Sequence, residues 1–178
     1  MLCLFKVHLN HWNISLINKT ISKTEFYQEL LAQTKALISG ETDLVANMAN
    51  VSALLFDALE QVNWLGFYRV INEQLVLGPF QGKVACIRIP LGTGVCGTAV
   101  STKSTQRISD VHQFDGHIAC DATTNAEIVI PVQINGDIIA VLDIDSTSFA
   151  RFDQQDQAGL EAIVNAFERN IVLEQVKA

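Results

Sequence analysis

Cys120 stands in the stretch DGHIACDATTNAEIVI (115–130), with Asp115 and His117 before it and Asp121 and Glu127 after it. A thiol in such company is placed for chemistry, because nearby charges and hydrogen bonds set how much of it is thiolate, and the thiolate is the nucleophile. Inert cysteines sit in apolar runs. Cys86, flanked by Val84, Ala85 and Ile87, reads alone as a core cysteine on a strand, and Cys96 reads as a small residue packed into a helix. A loop thiol near a second thiol is the layout of a peroxidatic or a sulfoxide-reducing pair.

Three acids follow: Glu127 in AEIVIPVQ, and Asp143 and Asp145 in DIIAVLDIDS. Both segments alternate as strands and flank Asn135-Gly136, a hairpin turn signal. A two-residue loop sets Glu127 opposite Ile144, on the face away from Asp143. A three-residue loop, Ile134–Gly136, with Gly136 left-handed as a bulge, shifts the register by one. Glu127 then lies directly opposite Asp143, Asp145 shares their face, and Ile128, Ile130, Leu142 and Ile144 fill the other. This register is favoured because both faces are then consistent. Most acids at strand ends are simply solvated, but Val129, Ile139 and Val141 make this face apolar. Opposed acids in such a setting raise at least one pKa. A neutral carboxyl can give a proton, and its ionised neighbour can hold an ammonium group.

Trp64 and Tyr68 share one face of NWLGFY by period two, with Gly66 between them. Such spacing alone is ordinary for core aromatics, although the glycine leaves space for something to lie against them. GTGVCG (Gly92, Gly94, Gly97) fits a G-x-G-x-x-G expression, but the helix is short and the sheet reads antiparallel, so a dinucleotide site lacks its βαβ frame. Cys86, Cys96, Cys120, His112 and His117 include no C-x-x-C or H-x-x-x-H pair, so no metal is expected. No G-x-S-x-G elbow supports serine chemistry.

These residues need a scaffold, and the chain has room for one domain with a sizeable core: 178 residues, 49% apolar. Its formal charge of −7, without a Lys/Arg cluster, argues against nucleic acid. No apolar run approaches a membrane span. Residues 1–21 read as a poorly ordered extension rather than a secretory signal, ahead of a domain over 22–178. Four cysteines without an export signal fit a reducing, cytoplasmic compartment. Helical spacing covers 23–39 and 42–62, the second apolar around much of its circumference, with Thr42 as its N-cap. Strands follow at NWLGFYRVIN, QLVLGPF and VACIRIP, then a glycine-rich turn into a short helix, a strand TQRISDV, the acid-bearing hairpin, and a closing helix. The expected fold is α+β: a mostly antiparallel sheet with N- and C-terminal helices on one face and a pocket on the other, under residues 92–125.

From about residue 22 to 172 the chain resembles the free methionine-(R)-sulfoxide reductases, which are single GAF domains. The resemblance is carried by NWLGFY, LVLGPFQGKVACIRIPLGTGVCGTAV, DVHQFDGHIACDATTNAEIVIPV, VLDIDS and FDQQDQAGLEAIV. It implies that Cys120 is the nucleophile that becomes a sulfenic acid, and that Cys86 resolves it into a disulfide, with Cys96 as an alternate partner. Glu127, Asp143 and Asp145 would bind the substrate's amino group and supply a proton, and Trp64 and Tyr68 would cradle its methyl-sulfur end. It implies no bound cofactor, and thioredoxin as external reductant. Two other readings compete. A GAF sensor binding a small ligand has no need of Cys86 and Cys120. An interaction protein would use the apolar helix 42–62, which explains a homodimer at least as well.

Overall fold

The computed structural model describes residues 21–177 apart from Ala119, and side chains as far as 172. The expected N-terminal extension therefore lies, but for Ile21, outside the described residues. Helix α1 (Lys23–Ile38) starts at a capping box: the Ser22 hydroxyl accepts from the Glu25 N–H, and the Glu25 carboxylate accepts from the Ser22 N–H. Helix α2 (Leu44–Ala58) is capped by Asp43 rather than Thr42, its carboxylate accepting from the Ala46 N–H at 2.7 Å. It ends short of residue 62 because the backbone turns extended at Leu59, ahead of a left-handed Gln61. Asn47, Met48, Val51, Ser52 and Leu55 of α2 are buried, so much of its apolar perimeter is used inside the chain.

Strands β1 (Trp64–Ile71), β2 (Gln74–Gly82), β3 (Arg88–Pro90), β4 (Gln106–Ile108), β5 (Ala126–Ile134) and β6 (Asp137–Ser146) form one antiparallel sheet in the order β3-β2-β1-β6-β5-β4. Helix α3 (Gly94–Thr102) lies between β3 and β4, and α4 (Gln154–Lys177) closes the chain. The period-two pattern divides the core. Leu65, Phe67, Ile128, Ile130, Leu142 and Ile144 face α1, α2 and α4, while Trp64, Tyr68, Val129 and Val141 face α3. Each fully buried aliphatic or aromatic side chain contributes roughly 1.5–3 kcal/mol, so both faces support the fold. Asp156 ties α1 to α4: it is fully buried and accepts from Tyr27 Oη at 2.8 Å and Lys23 Nζ at 2.6 Å. Among the described residues no helix is long and apolar enough to cross a membrane.

The β5–β6 hairpin differs from expectation. Its loop is the two-residue Asn135-Gly136, both at positive φ, with Ile134 paired to Asp137. Asn and Gly tolerate the left-handed region, which allows the tight turn whose twist matches the strands. The register shift falls further along: Gln133 pairs with Ile138 and Val132 with Ala140, leaving Ile139 as a bulge. Glu127 consequently lies opposite Asp145, not Asp143, and Asp143 lies opposite Val129. The bulge restores the alternation, so all three acids still share one face.

The segment expected as strand VACIRIP also differs. Only Arg88–Pro90 pairs with β2, and Val84–Ile87 is irregular. Cys86 is therefore no core cysteine on a strand. It is half-buried between Val84 and Ile87, which are 89% and 71% exposed.

Candidate active site

Two rows of side chains cross the face opposite the three packed helices. The first runs Glu127–Asp145–Trp64 over β5, β6 and β1, and the second runs Val129–Asp143–Gly66. Glu127 and Asp143 are each 6% exposed, and Asp145 is less buried. Helix α3 covers them with Cys96, whose sulfur lies within 4.8 Å of a carboxyl oxygen of both Glu127 and Asp143. One oxygen of Asp143 is buried with no hydrogen-bond partner.

Burial pushes the Glu127 carboxyl well above its usual range, and the charges of Asp143 and Asp145 add to the shift. Desolvation also raises Asp143, against hydrogen bonds from Cys96 and Glu127 that pull it down. Asp145 rises through burial and then through Asp143 and Asp121. Burial, reinforced by the same acids, drives the Cys96 thiol well above its ordinary value, which makes it a poor thiolate. Metal ligands must shed their protons, and Cys96 and Glu127, two of the three groups that meet here, hold theirs well above the ordinary range. The arrangement is instead a reservoir of protons beside an unpaired acceptor.

Cys120 and Cys86 are joined as a disulfide at the rim of this cavity, and Cys96 is a free, buried thiol. Cys120 lies on an exposed loop held on both sides. Val111 N–H donates to the Asn125 carbonyl, and Asn125 N–H donates to the Ser146 carbonyl at 2.8 Å. Asp121 folds the turn after Cys120 by accepting from the Thr123 N–H, and pairs with Lys83 Nζ at 3.1 Å. Those bonds to Thr123, and then Lys83, hold its carboxyl at about 2.

Trp64 and Tyr68 have a role that sequence spacing does not reveal. Trp64 Nε1 donates to the Lys83 carbonyl at 3.1 Å, and Tyr68 Oη donates to the Cys86 carbonyl at 3.0 Å. The two stacked rings thus hold the irregular segment that carries Cys86. Gly66 does not leave ligand space between them. A β-carbon there would collide with Phe80, whose ring stacks on Trp64 at 5.4 Å. Every residue proposed from sequence lines the resulting cavity except Cys86, which bonds to its rim through Cys120. His117 lines it too, without an assigned role at the sequence level. Its position three residues before Cys120 was the available signal.

The fold agrees with known proteins. A GAF-domain family model matches residues 45–172. The chain is 56% identical over 149 residues to the free methionine-R-sulfoxide reductase of Escherichia coli, covering 84% of this chain and 90% of that one. It superposes with a TM-score of 0.79 on the structure of fRMsr of Staphylococcus aureus in complex with substrate, at 51% identity, covering 82% of this chain and 95% of that one. The free methionine-R-sulfoxide reductase of Neisseria meningitidis in complex with its substrate gives a TM-score of 0.84 at 38% identity, covering 92% and 99%. The chain belongs to the GAF-domain family and, within it, to the free methionine-R-sulfoxide reductases.

Proposed function

We propose that this chain is an oxidoreductase that reduces free L-methionine-(R)-sulfoxide to L-methionine with electrons from its own thiols. The observation that carries this is the Cys86–Cys120 disulfide at the rim of a cavity floored by three acids whose burial raises their affinity for protons. In the reduced protein the Cys120 thiolate attacks the sulfoxide sulfur. A sulfoxide oxygen leaves poorly unless protonated, and Glu127 or Asp143 supplies the proton. As the protonated oxygen breaks from the substrate sulfur and bonds to Cys120 Sγ, the transient S–S bond between Cys120 and the substrate cleaves. Its electron pair leaves with methionine, and Cys120 becomes a sulfenic acid. The Cys86 thiol then attacks Cys120 Sγ, the oxygen leaves as water, and the disulfide forms. One sulfoxide and two thiols thus become one thioether, one disulfide and one water. Thioredoxin restores the thiols by exchange in the reducing cytoplasm.

The acids have a second task. An ionised carboxylate beside a protonated one holds the substrate's ammonium group, to which the unpaired Asp143 oxygen is suited. Trp64 and Tyr68 offer stacked apolar faces to the methyl-sulfur end. A sensor role would account for the fold but leaves the disulfide at the rim without a task. The test is NADPH consumption by the purified protein with thioredoxin and thioredoxin reductase. Oxidation is expected with free L-methionine-(R)-sulfoxide and not with the S epimer. No oxidation with the R epimer would refute the reading.

A further inference from the structure

The disulfide that ends one turnover has to be reduced before the next. Among the described residues the only other thiol, Cys96, is buried and holds its proton, so the electrons come from outside. They enter through the surface around Cys86. On either side of it Val84 and Ile87 are 89% and 71% exposed, more than any other large hydrophobic side chain described. Single exposed apolar residues are ordinary, but the two most exposed ones flank a redox bond here. The strip that carries them is fixed from within. The carbonyls of Lys83, Cys86 and Ile87 accept from Trp64 Nε1, Tyr68 Oη and the Leu77 N–H, the last at 3.0 Å. A surface fixed beforehand loses little conformational freedom when a partner docks. Its charge also suits an incoming thiolate. The chain carries −7 overall, yet no acid occurs between Glu73 and Asp110, and Lys83 and Arg88 bracket the strip.

We infer that Val84 and Ile87 form a docking lip for a protein dithiol whose reactive thiolate is set in an apolar surface, and that this thiolate attacks Cys86 Sγ. The inference rests on the reductase reading above and assigns the surface by which the reductant is recognised. A bond forms between the partner's sulfur and Cys86 Sγ, the Cys86–Cys120 bond breaks, and its electron pair leaves on Cys120 as a thiolate. The partner's second thiol gives up its proton and attacks the partner's first sulfur. Cys86 then departs and takes up a proton. The partner ends as a disulfide, and this chain regains two thiols, with Cys120 already the thiolate that the next sulfoxide needs.

Val84 also borders the cavity, so Ile87, which does not, is the residue to change. Steady-state reduction of free L-methionine-(R)-sulfoxide is compared for wild type, Ile87→Ser and Ile87→Leu with two reductants, thioredoxin and dithiothreitol. The second is too small to need a docking surface. Ile87→Ser is expected to raise KM for thioredoxin by roughly 10-fold, as for a side chain that anchors an interface. Ile87→Leu should stay near wild type, and the rate with dithiothreitol should be the same for all three. An unchanged KM, or an equal loss with dithiothreitol, would overturn the docking lip. Oxidised wild-type protein mixed with a thioredoxin whose second active-site cysteine is serine needs no variant of this chain. It should give a mixed disulfide at Cys86, and one at Cys120 would overturn the assigned attack. Wild-type activity with dithiothreitol but not thioredoxin would overturn the docking of a protein dithiol. A wild type inactive with both would overturn the underlying reductase reading instead.

Discussion

Glu127 and Asp145 face one another across the β5–β6 ladder, with Asp143 two residues along on the same face. Burial, then mutual repulsion, raises the Glu127 carboxyl, and burial likewise raises its neighbours. The folded protein consequently holds protons that the unfolded chain releases above about pH 4. Stability linked to these groups is greatest below that pH and falls as pH rises toward their native values. Glu127→Gln should therefore melt several degrees higher than wild type at pH 8, and the gain should shrink near pH 4. Thermal unfolding of both proteins at the two pH values measures it; an equal difference at both would contradict the linkage.

The same substitution should slow the chemistry. Loss of a positioned proton donor costs roughly 100-fold or more in rate, and Glu127→Gln is expected to lower single-turnover methionine formation by about that amount. An unchanged rate would pass the donor role to Asp143. Stability gained and activity lost at one position is the mark of a site strained for function.

Cys86 and Cys96 should separate cleanly. Cys86→Ser is expected to form about one methionine per chain and stall as a sulfenic acid that a dimedone probe traps. Cys96→Ala should keep multiple turnover within a few-fold, because the Cys96 thiol is buried, proton-bound and outside the disulfide. Full turnover by Cys86→Ser would make Cys96 the resolving thiol.

Tyr68→Phe removes the hydroxyl that holds the Cys86 carbonyl and keeps the ring. Disulfide formation should slow several-fold while the first methionine appears at the wild-type rate. Rapid-quench counting of sulfenic acid and disulfide distinguishes the steps. A slowed first step would place the hydroxyl at the substrate instead.

Gly66→Ala should cost on the order of 1–3 kcal/mol, because the added carbon meets Phe80 side chain and backbone. A lowered denaturant midpoint with unchanged m-value reports it. A neutral effect would mean that Phe80 has room to yield.

Much of this site was legible from residue types and alternation alone. Period-two spacing placed Asp143 and Asp145 on one face, one extra residue in the hairpin brought Glu127 to it, and polar neighbours set Cys120 on a loop, where it is exposed. The partner of Glu127 was not legible, because one extra residue can enter a hairpin at the turn or as a bulge, and only packing chooses Ile139. Nor was the course of Val84–Ile87. Its apolar residues resemble a strand, but bonds from Trp64, Tyr68 and Cys120, all distant in sequence, hold it out of the ladder. The space credited to Gly66 went to Phe80, a long-range contact that no local pattern encodes.

Electrons for a single reduction of the free sulfoxide are expected to leave through Cys120 and Cys86. Fully reduced protein mixed with one equivalent of free L-methionine-(R)-sulfoxide, without thioredoxin, tests it when methionine is quantified and the thiols are mapped by mass spectrometry. One methionine per chain, loss of two thiols and a Cys86–Cys120 linked peptide are expected, with Cys96 still free. Methionine formed with Cys86 and Cys120 both still reduced, or none formed at all, would contradict it.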